Sequence, residues 1–175
     1  MSTAVPQKPR SITHKSHITI VASQYNEQFT QPLIENTRAE LQELAPNSRI
    51  ELILVPGSFE IPATVSAILA KGTTHIVIAL GLIIRGQTQH GDLIAQSITN
   101  SLQDLAVQYA KPIIHEVLLV DDEKQAYARC IGSHLNRGRE AARSAVMMSQ
   151  LFQQIAPSDL SSKTRPNLRQ YPSNA

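Results

Sequence analysis

The sequence is poor in most features that mark a specialised class of protein. Its 175 residues include one cysteine, Cys130, so no intrachain disulfide is possible and a reducing, cytoplasmic setting is expected. Tryptophan is absent and aromatics make up 4%, so the core must be aliphatic. No apolar run approaches the length of a membrane span. Residues 1–16 are polar, with Pro6, Pro9 and Arg10, and do not read as a signal peptide. Sixteen basic against fourteen acidic side chains leave a net charge of +2. That balance, with no Lys/Arg stripe interleaved with aromatics, argues against a nucleic-acid partner. Zinc-type Cys/His spacing, a P-loop and GxGxxG are all missing, and Ser23, Ser58 and Cys130 lack a nucleophile-elbow context. Neither a metal site nor a nucleotide-binding motif is therefore expected.

What remains is a globular composition, 42% hydrophobic and 17% charged, of a size suited to one domain. Both ends read as flexible: an N-terminal arm over 1–16 and a Pro-, Ser- and Arg-containing tail over 155–175. Between them, residues 17–154 alternate. Apolar runs at 18–21, 50–55, 75–80 and 113–120 read as strands. Helical periodicity follows each of them, over about 33–44, 62–69, 93–109, 123–131 and 137–154. Pro62 fits a first helical turn, Gly72 a helix stop and Lys111-Pro112 a break. The pattern predicts a three-layer α/β sandwich, with a four-stranded parallel sheet flanked by helices. Four strands leave two exposed edges, which an arm from a neighbouring subunit would cover.

In open parallel sheets, ligands bind at the carboxyl ends of the strands. The segments expected there are Ser23-Gln24-Tyr25-Asn26-Glu27, the run from Val55 to Pro62, and the run from Gly81 to Asp92. Tyr25 and Phe59 fall in these loops, and so do three of the seven glycines, Gly81, Gly86 and Gly91, as close approach to a ligand requires. The third loop leads into a helix, where Thr88 is placed to cap and free N–H groups suit an anion. His90 is the candidate for proton transfer. His14, His17, His75, His115 and His134 are its competitors. Arg85 reads as a surface charge, Glu140 and Arg143 as an i,i+3 pair on a solvated helix face, and Cys130 as a small buried helix residue.

Taken together, these loops resemble the lumazine synthases, which make 6,7-dimethyl-8-ribityllumazine in riboflavin biosynthesis. The resemblance runs through Ser23 to Asn26, Val55 to Pro62, Ala79 to His90, Glu123-Lys124-Gln125-Ala126 and Asn136 to Ala142, and covers about residues 17–152. It implies a transferase that condenses 5-amino-6-(D-ribitylamino)uracil with 3,4-dihydroxy-2-butanone 4-phosphate, releasing phosphate and water without a cofactor. It also implies a homopentamer, or a 60-subunit shell of pentamers, with sites between adjacent subunits. By position, Tyr25 resembles the aromatic that stacks on the uracil ring. Ser58, Phe59 and Glu60 resemble the segment that holds the ribityl chain. Leu82, Ile83 and Ile84 offer backbone groups to the pyrimidine, and Gln87 and Thr88 meet the phosphate. His90 matches the catalytic histidine. His115 and Arg129 match residues supplied by the neighbour, Arg129 as a phosphate ligand. Arg137 and Glu140 match supporting positions near the anion and the histidine.

Some positions depart from the family pattern. Gln24 stands where arginine is usual, Gly91 where an aromatic follows the histidine, His115 for a phenylalanine, Glu116 for a glycine, and Leu119-Val120 for a threonine pair. These departures open two alternatives: a relative that binds a lumazine or flavin without turnover, and a scaffold with a vestigial site.

Overall fold

The computed structural model describes residues 7–155. The rest of the predicted C-terminal tail, 156–175, lies outside the described residues. The elements run β1 (His17–Ser23), α1 (Glu27–Leu44), β2 (Arg49–Val55), a single 3-10 turn (Ser58–Glu60), α2 (Ile61–Lys71), β3 (Ile76–Ile84), α3 (His90–Tyr109), β4 (Ile113–Val120), α4 (Glu123–Cys130) and α5 (Arg137–Ile155). The four strands form one parallel sheet in the order β2-β1-β3-β4. This is the flanked parallel sheet that the alternating sequence predicts.

Strand alternation builds two cores. Ile18, Ile20 and Ala22 of β1 share one face with Ile76, Ile78, Leu80 and Leu82 of β3, and pack against α1, α4 and α5 through Leu33, Leu41, Ala126, Ala141 and Val146. Val21, Val77, Ala79 and Val117 point the other way, toward Val65, Leu69, Ile98 and Leu102 of α2 and α3. Central β3 is apolar on both faces, as a strand covered by helices on both sides must be, whereas on the α2/α3 side of β1 Val21 is flanked by buried Thr19 and Ser23, which bond Thr74 and Ser58. The same parity puts His115 on the α3 side, between Ile113 and Val117. Glu116 lies on the α4/α5 side, between Ile114 and Leu118.

Local chemistry sets the helix ends. Pro62 sits at the start of α2, and Gly72 closes it at φ +71°, with its N–H on the Leu69 carbonyl. Asp122 caps α4 by accepting the Gln125 N–H at 2.7 Å. Residues 7–16 form no regular element, but Ile12 is buried in the α1/α5 core and its N–H bonds the Leu44 carbonyl.

Two local expectations are corrected. β3 does not stop at Leu80: it continues to Ile84 in register with Leu118, Leu119 and Val120 of β4, so the third loop begins at Arg85. Gly81 does not break the strand. A Cβ there would stand 2.6 Å from Ser58 Oγ, and its absence lets the 3-10 turn lie against the sheet. Arg143 does not pair with Glu140. Its Nε donates to Glu40 of α1 at 2.8 Å, while Glu140 accepts from Arg137 at 2.5 Å. α5 is thus clamped onto α1 by charge as well as by apolar packing.

Candidate active site

A cavity of ≈ 520 Å³ opens at the carboxyl ends of β1, β2 and β3. Tyr25 and Asn26 enter it from the β1–α1 loop, Gly57 to Glu60 from the turn after β2, and Leu82 to Ile84 from the end of β3. Gly86, Thr88, His90, Gly91 and Ile94 come from the third loop and the start of α3. Its lips are aromatic: Tyr25 is 72% exposed and Phe59 59%. Exposed rings beside an apolar floor are placed to receive a flat ligand.

The loops are tied together by a few bonds. Asn26 sits in the left-handed region at φ 58°, a conformation that asparagine tolerates better than most residues. Its Nδ2 donates to the Leu82 carbonyl at 3.0 Å, joining the first loop to the end of β3. Glu60 Oε2 accepts the Gly57 N–H at 2.9 Å, which fixes the carboxylate on its own turn. Ser58 is buried, and its hydroxyl donates to Ser23 Oγ at 3.4 Å. That hydroxyl therefore braces the turn from behind.

The end of β3 also supplies backbone groups. β1 pairs with β3 only as far as Leu80, whereas β4 continues to Ile84. Odd-numbered residues here face β4, as the bond from Arg85 N–H to the Val120 carbonyl shows. The N–H and C=O of Leu82 and Ile84 therefore lie on the side that β1 does not reach. Asn26 takes one of these groups, and the others face the cavity side.

The third loop is clamped. Arg85 donates to Asp92 through Nε and Nη2 at 3.0 and 2.9 Å, and to Asp121 through Nη1. Asp121 also accepts from Gln125 Nε2 at 2.8 Å. The two carboxylates, Asp92 first, raise the Arg85 pKa, and the Gln125 and Arg85 bonds lower that of Asp121. Arg85, expected as a plain surface charge, links the start of α3 to the end of β4. Gln89, not Thr88, precedes the first residue of α3 and makes no side-chain cap. The His90 N–H nevertheless donates to Thr88 Oγ1, with N and O 3.5 Å apart. Thr88 thus caps the first N–H of α3, as its position predicts, while the N–H groups of Gly91 and Asp92 have no side-chain partner among the described residues and are left for an anion beside His90.

One chain does not gather every expected site residue. Gln87 is exposed in the third loop and does not line the cavity. His115, Arg129, Arg137 and Glu140 also lie outside it. Arg129 is half-buried on α4, with Nη1 on the Gln125 carbonyl at 3.2 Å. Arg137 and Glu140 form their own pair at the start of α5. His115 is locked against α3: its Nδ1 accepts the Val117 N–H at 3.1 Å, so Nε2 carries the proton and donates to Thr99 Oγ1 at 2.8 Å. Burial lowers its pKa, so its imidazole is neutral at pH 7. Asn26 and Gly57, which line the cavity, lie in the strand-end segments expected from the sequence but were given no role of their own, and Ile94, on the face of α3 that meets the cavity, was not foreseen as a site residue.

A parallel α/β sheet with a strand-end cavity, aromatic lips, fixed backbone donors and an imidazole at an open helix start defines a small-molecule enzyme of the α/β class. Comparison with known proteins gives the particular family. Residues 15–153 match the family model for 6,7-dimethyl-8-ribityllumazine synthase. Similar relatives carry that same name. One from Bdellovibrio bacteriovorus is 38% identical over 141 residues, 81% of this chain and 78% of its own. One from Aquifex aeolicus is 36% identical, over 78% of this chain and 89% of its own. One from Coxiella burnetii is 34% identical, over 81% and 95%. The chain belongs to the 6,7-dimethyl-8-ribityllumazine synthase family.

Proposed function

We propose that the protein catalyses the last assembly step of the lumazine ring in riboflavin biosynthesis. The 5-amino group of 5-amino-6-(D-ribitylamino)uracil attacks the ketone of 3,4-dihydroxy-2-butanone 4-phosphate. An imine forms with loss of water, the phosphate ester is eliminated, and the ribityl-bearing nitrogen closes the second ring with loss of a second water. The observation that carries this reading is the strand-end cavity, where Tyr25, Phe59, Glu60 and His90 meet in a chain of this family.

The roles follow from the chemistry of each group. Tyr25 stacks on the flat pyrimidine, Phe59 and its turn hold the ribityl chain, and the backbone groups at Leu82, Ile83 and Ile84 read the ring's edge. Glu60 accepts from ribityl hydroxyls through Oε1, since Oε2 is held by Gly57. Gln87, Thr88 and the opening N–H groups of α3 receive the phosphate, and His90 moves protons during imine formation and elimination. Arg129 and His115 complete the pocket from an adjacent subunit, Arg129 as a guanidinium fork on the phosphate. Arg137 and Glu140 support that side. The assembly that brings them together is a homopentamer, alone or in a 60-subunit shell, in the cytoplasm. Among the described residues no helix is long and apolar enough to cross a membrane. Holding two substrates in register supplies about 7–11 kcal/mol of the barrier, so no cofactor is required.

The test is to mix both substrates with the assembled protein and follow the fluorescence of the lumazine product. Arg129→Ala should raise KM for the phosphate substrate. His90→Ala should lower kcat, by no more than the roughly 10²–10⁴-fold that a positioned proton donor contributes. A rate no faster than that of the substrates alone, from correctly assembled protein, would refute the proposal.

A further inference from the structure

A second cleft of ≈ 330 Å³ lies at the opposite end of the sheet. It is formed where the chain enters β1 (His14, Lys15, Ser16), β3 (His75, Ile76) and β4 (Ala110, Lys111), and is closed by Phe152 of α5 and its neighbours. β3 has nine residues, so at about 3.3 Å per residue about 26 Å of strand separates this cleft from the cavity above.

The lining is one-sided in charge. It holds two lysines and two histidines, two serine hydroxyls and a glutamine amide, and no carboxylate. The neighbouring acid, Glu51, is engaged by His17 at 3.0 Å and by Arg49 at 3.8 Å. Lys111 is half-buried, and among the described residues neither its ammonium nor that of Lys15 has an ion-pair or hydrogen-bond partner. The His17 N–H donates to His75 Nδ1 at 3.0 Å, which leaves the proton on Nε2. That N–H has no partner among the described residues. Burial lowers the His75 pKa, and Lys111, His17 and His14 lower it further. Like charges have therefore been brought together with no carboxylate among the described residues to balance them. At the carboxyl end of α3 the N–H groups of Ala110 and Lys111 bond the Val107 and Ala106 carbonyls, so the helix end offers the cleft partial charges and no full negative charge.

We propose that this cleft is a second anion site, taking a small organic phosphate. The unpartnered groups of Lys15, Lys111 and His75 would meet the phosphate oxygens, and the apolar part of the ligand would lie against Ile76 and Phe152. Several donors converging from three strand entrances suit a dianion with three free oxygens better than a single carboxylate. A volume near 330 Å³ is at the small end of ligand pockets. The proposal does not depend on the reaction assigned to the upper cavity.

Phenyl phosphate is a suitable probe for the full-length assembled protein. Binding is followed by calorimetry and by the His75 imidazole C–H resonance, assigned with His75→Gln. Saturable binding that shifts this resonance is expected. Lys111→Ala should weaken it at least 10-fold, and Lys15→Ala, a change at an exposed and unbonded side chain, about 3-fold. Arg129→Ala should leave it unchanged. Three results would overturn the proposal: no saturable shift at His75, loss of binding in Arg129→Ala, or benzoate binding as tightly as phenyl phosphate. If Lys111→Ala fails to assemble, an unaltered affinity in Lys15→Ala is enough to reject it.

Discussion

Replacing Glu116 with glutamine should stabilise the protein at neutral and alkaline pH and do little in acid. Glu116 lies on edge strand β4, between Ile114 and Leu118, on the face covered by α4 and α5. Burial raises its pKa from 4.5 to about 7, Arg137 opposes the rise and Glu140 adds to it. Arg137, whose guanidinium is paired with Glu140, offsets only part of the effect of burial. The folded state therefore holds a proton that the unfolded chain releases near 4.5. The stability linked to that proton is complete below pH 4.5, drains away as pH rises toward 7, and is gone above it. At about 1.36 kcal/mol per pH unit the full effect is about 3 kcal/mol. Partial exposure of Glu116 reduces that to about 2 kcal/mol. The assay is guanidinium unfolding of the wild type and Glu116→Gln at pH 4.5, 6 and 8, at one fixed protein concentration so that assembly contributes equally. The gap should open in favour of the variant between pH 4.5 and about 7, then stay level. A gap that is constant to within about 0.5 kcal/mol, or one that closes with rising pH, would show that Glu116 is not held protonated by its surroundings.

Other substitutions probe the packing. A Cβ on Gly138 would stand 2.5 Å from the Leu33 carbonyl oxygen and 3.0 Å from Thr37 Oγ1, where backbone cannot yield. Gly138→Ala should therefore cost about 1–3 kcal/mol and lower the melting temperature by several degrees. An unchanged melting temperature would mean that α1 and α5 are not in such close contact. Cys130 is buried and its thiol is pushed up to about 12. It should stay unreactive toward a disulfide reagent at pH 8 until the protein is denatured; rapid labelling of native protein would count against its burial.

Much of the fold was legible in the sequence because its signals are local. Strand runs rich in Ile, Val and Leu, Gly72 after a helix, Pro62 at the start of one and Lys111-Pro112 at the end of another depend on neighbours within a turn. The strand-end location of the cavity followed from topology, so Tyr25, Phe59, Glu60, Thr88 and His90 could be grouped before any coordinates. The extent of β3 was not legible. Gly81 looks like a break in an apolar run, and only the closeness of Ser58 shows why glycine is needed inside a strand. The partners of Arg143 and Arg85 were missed for a related reason. Glu40 is 103 residues from Arg143, and Asp121 is 36 from Arg85, and charge pairing at such separation leaves no periodic trace.

The sequence by itself determined the class of architecture, the order of its elements and the loops that carry chemistry, because hydrophobic period and turn residues act over a few positions. Tertiary structure alone decided which charges are spent on one another and which are left free. Arg85 is held by Asp92 and Asp121, Arg137 by Glu140, and His115 is fixed as a neutral donor to Thr99. The lysines at the lower end of the sheet meet no carboxylate among the described residues. Charge balance depends on distances between side chains, and those distances exist only once the chain has folded.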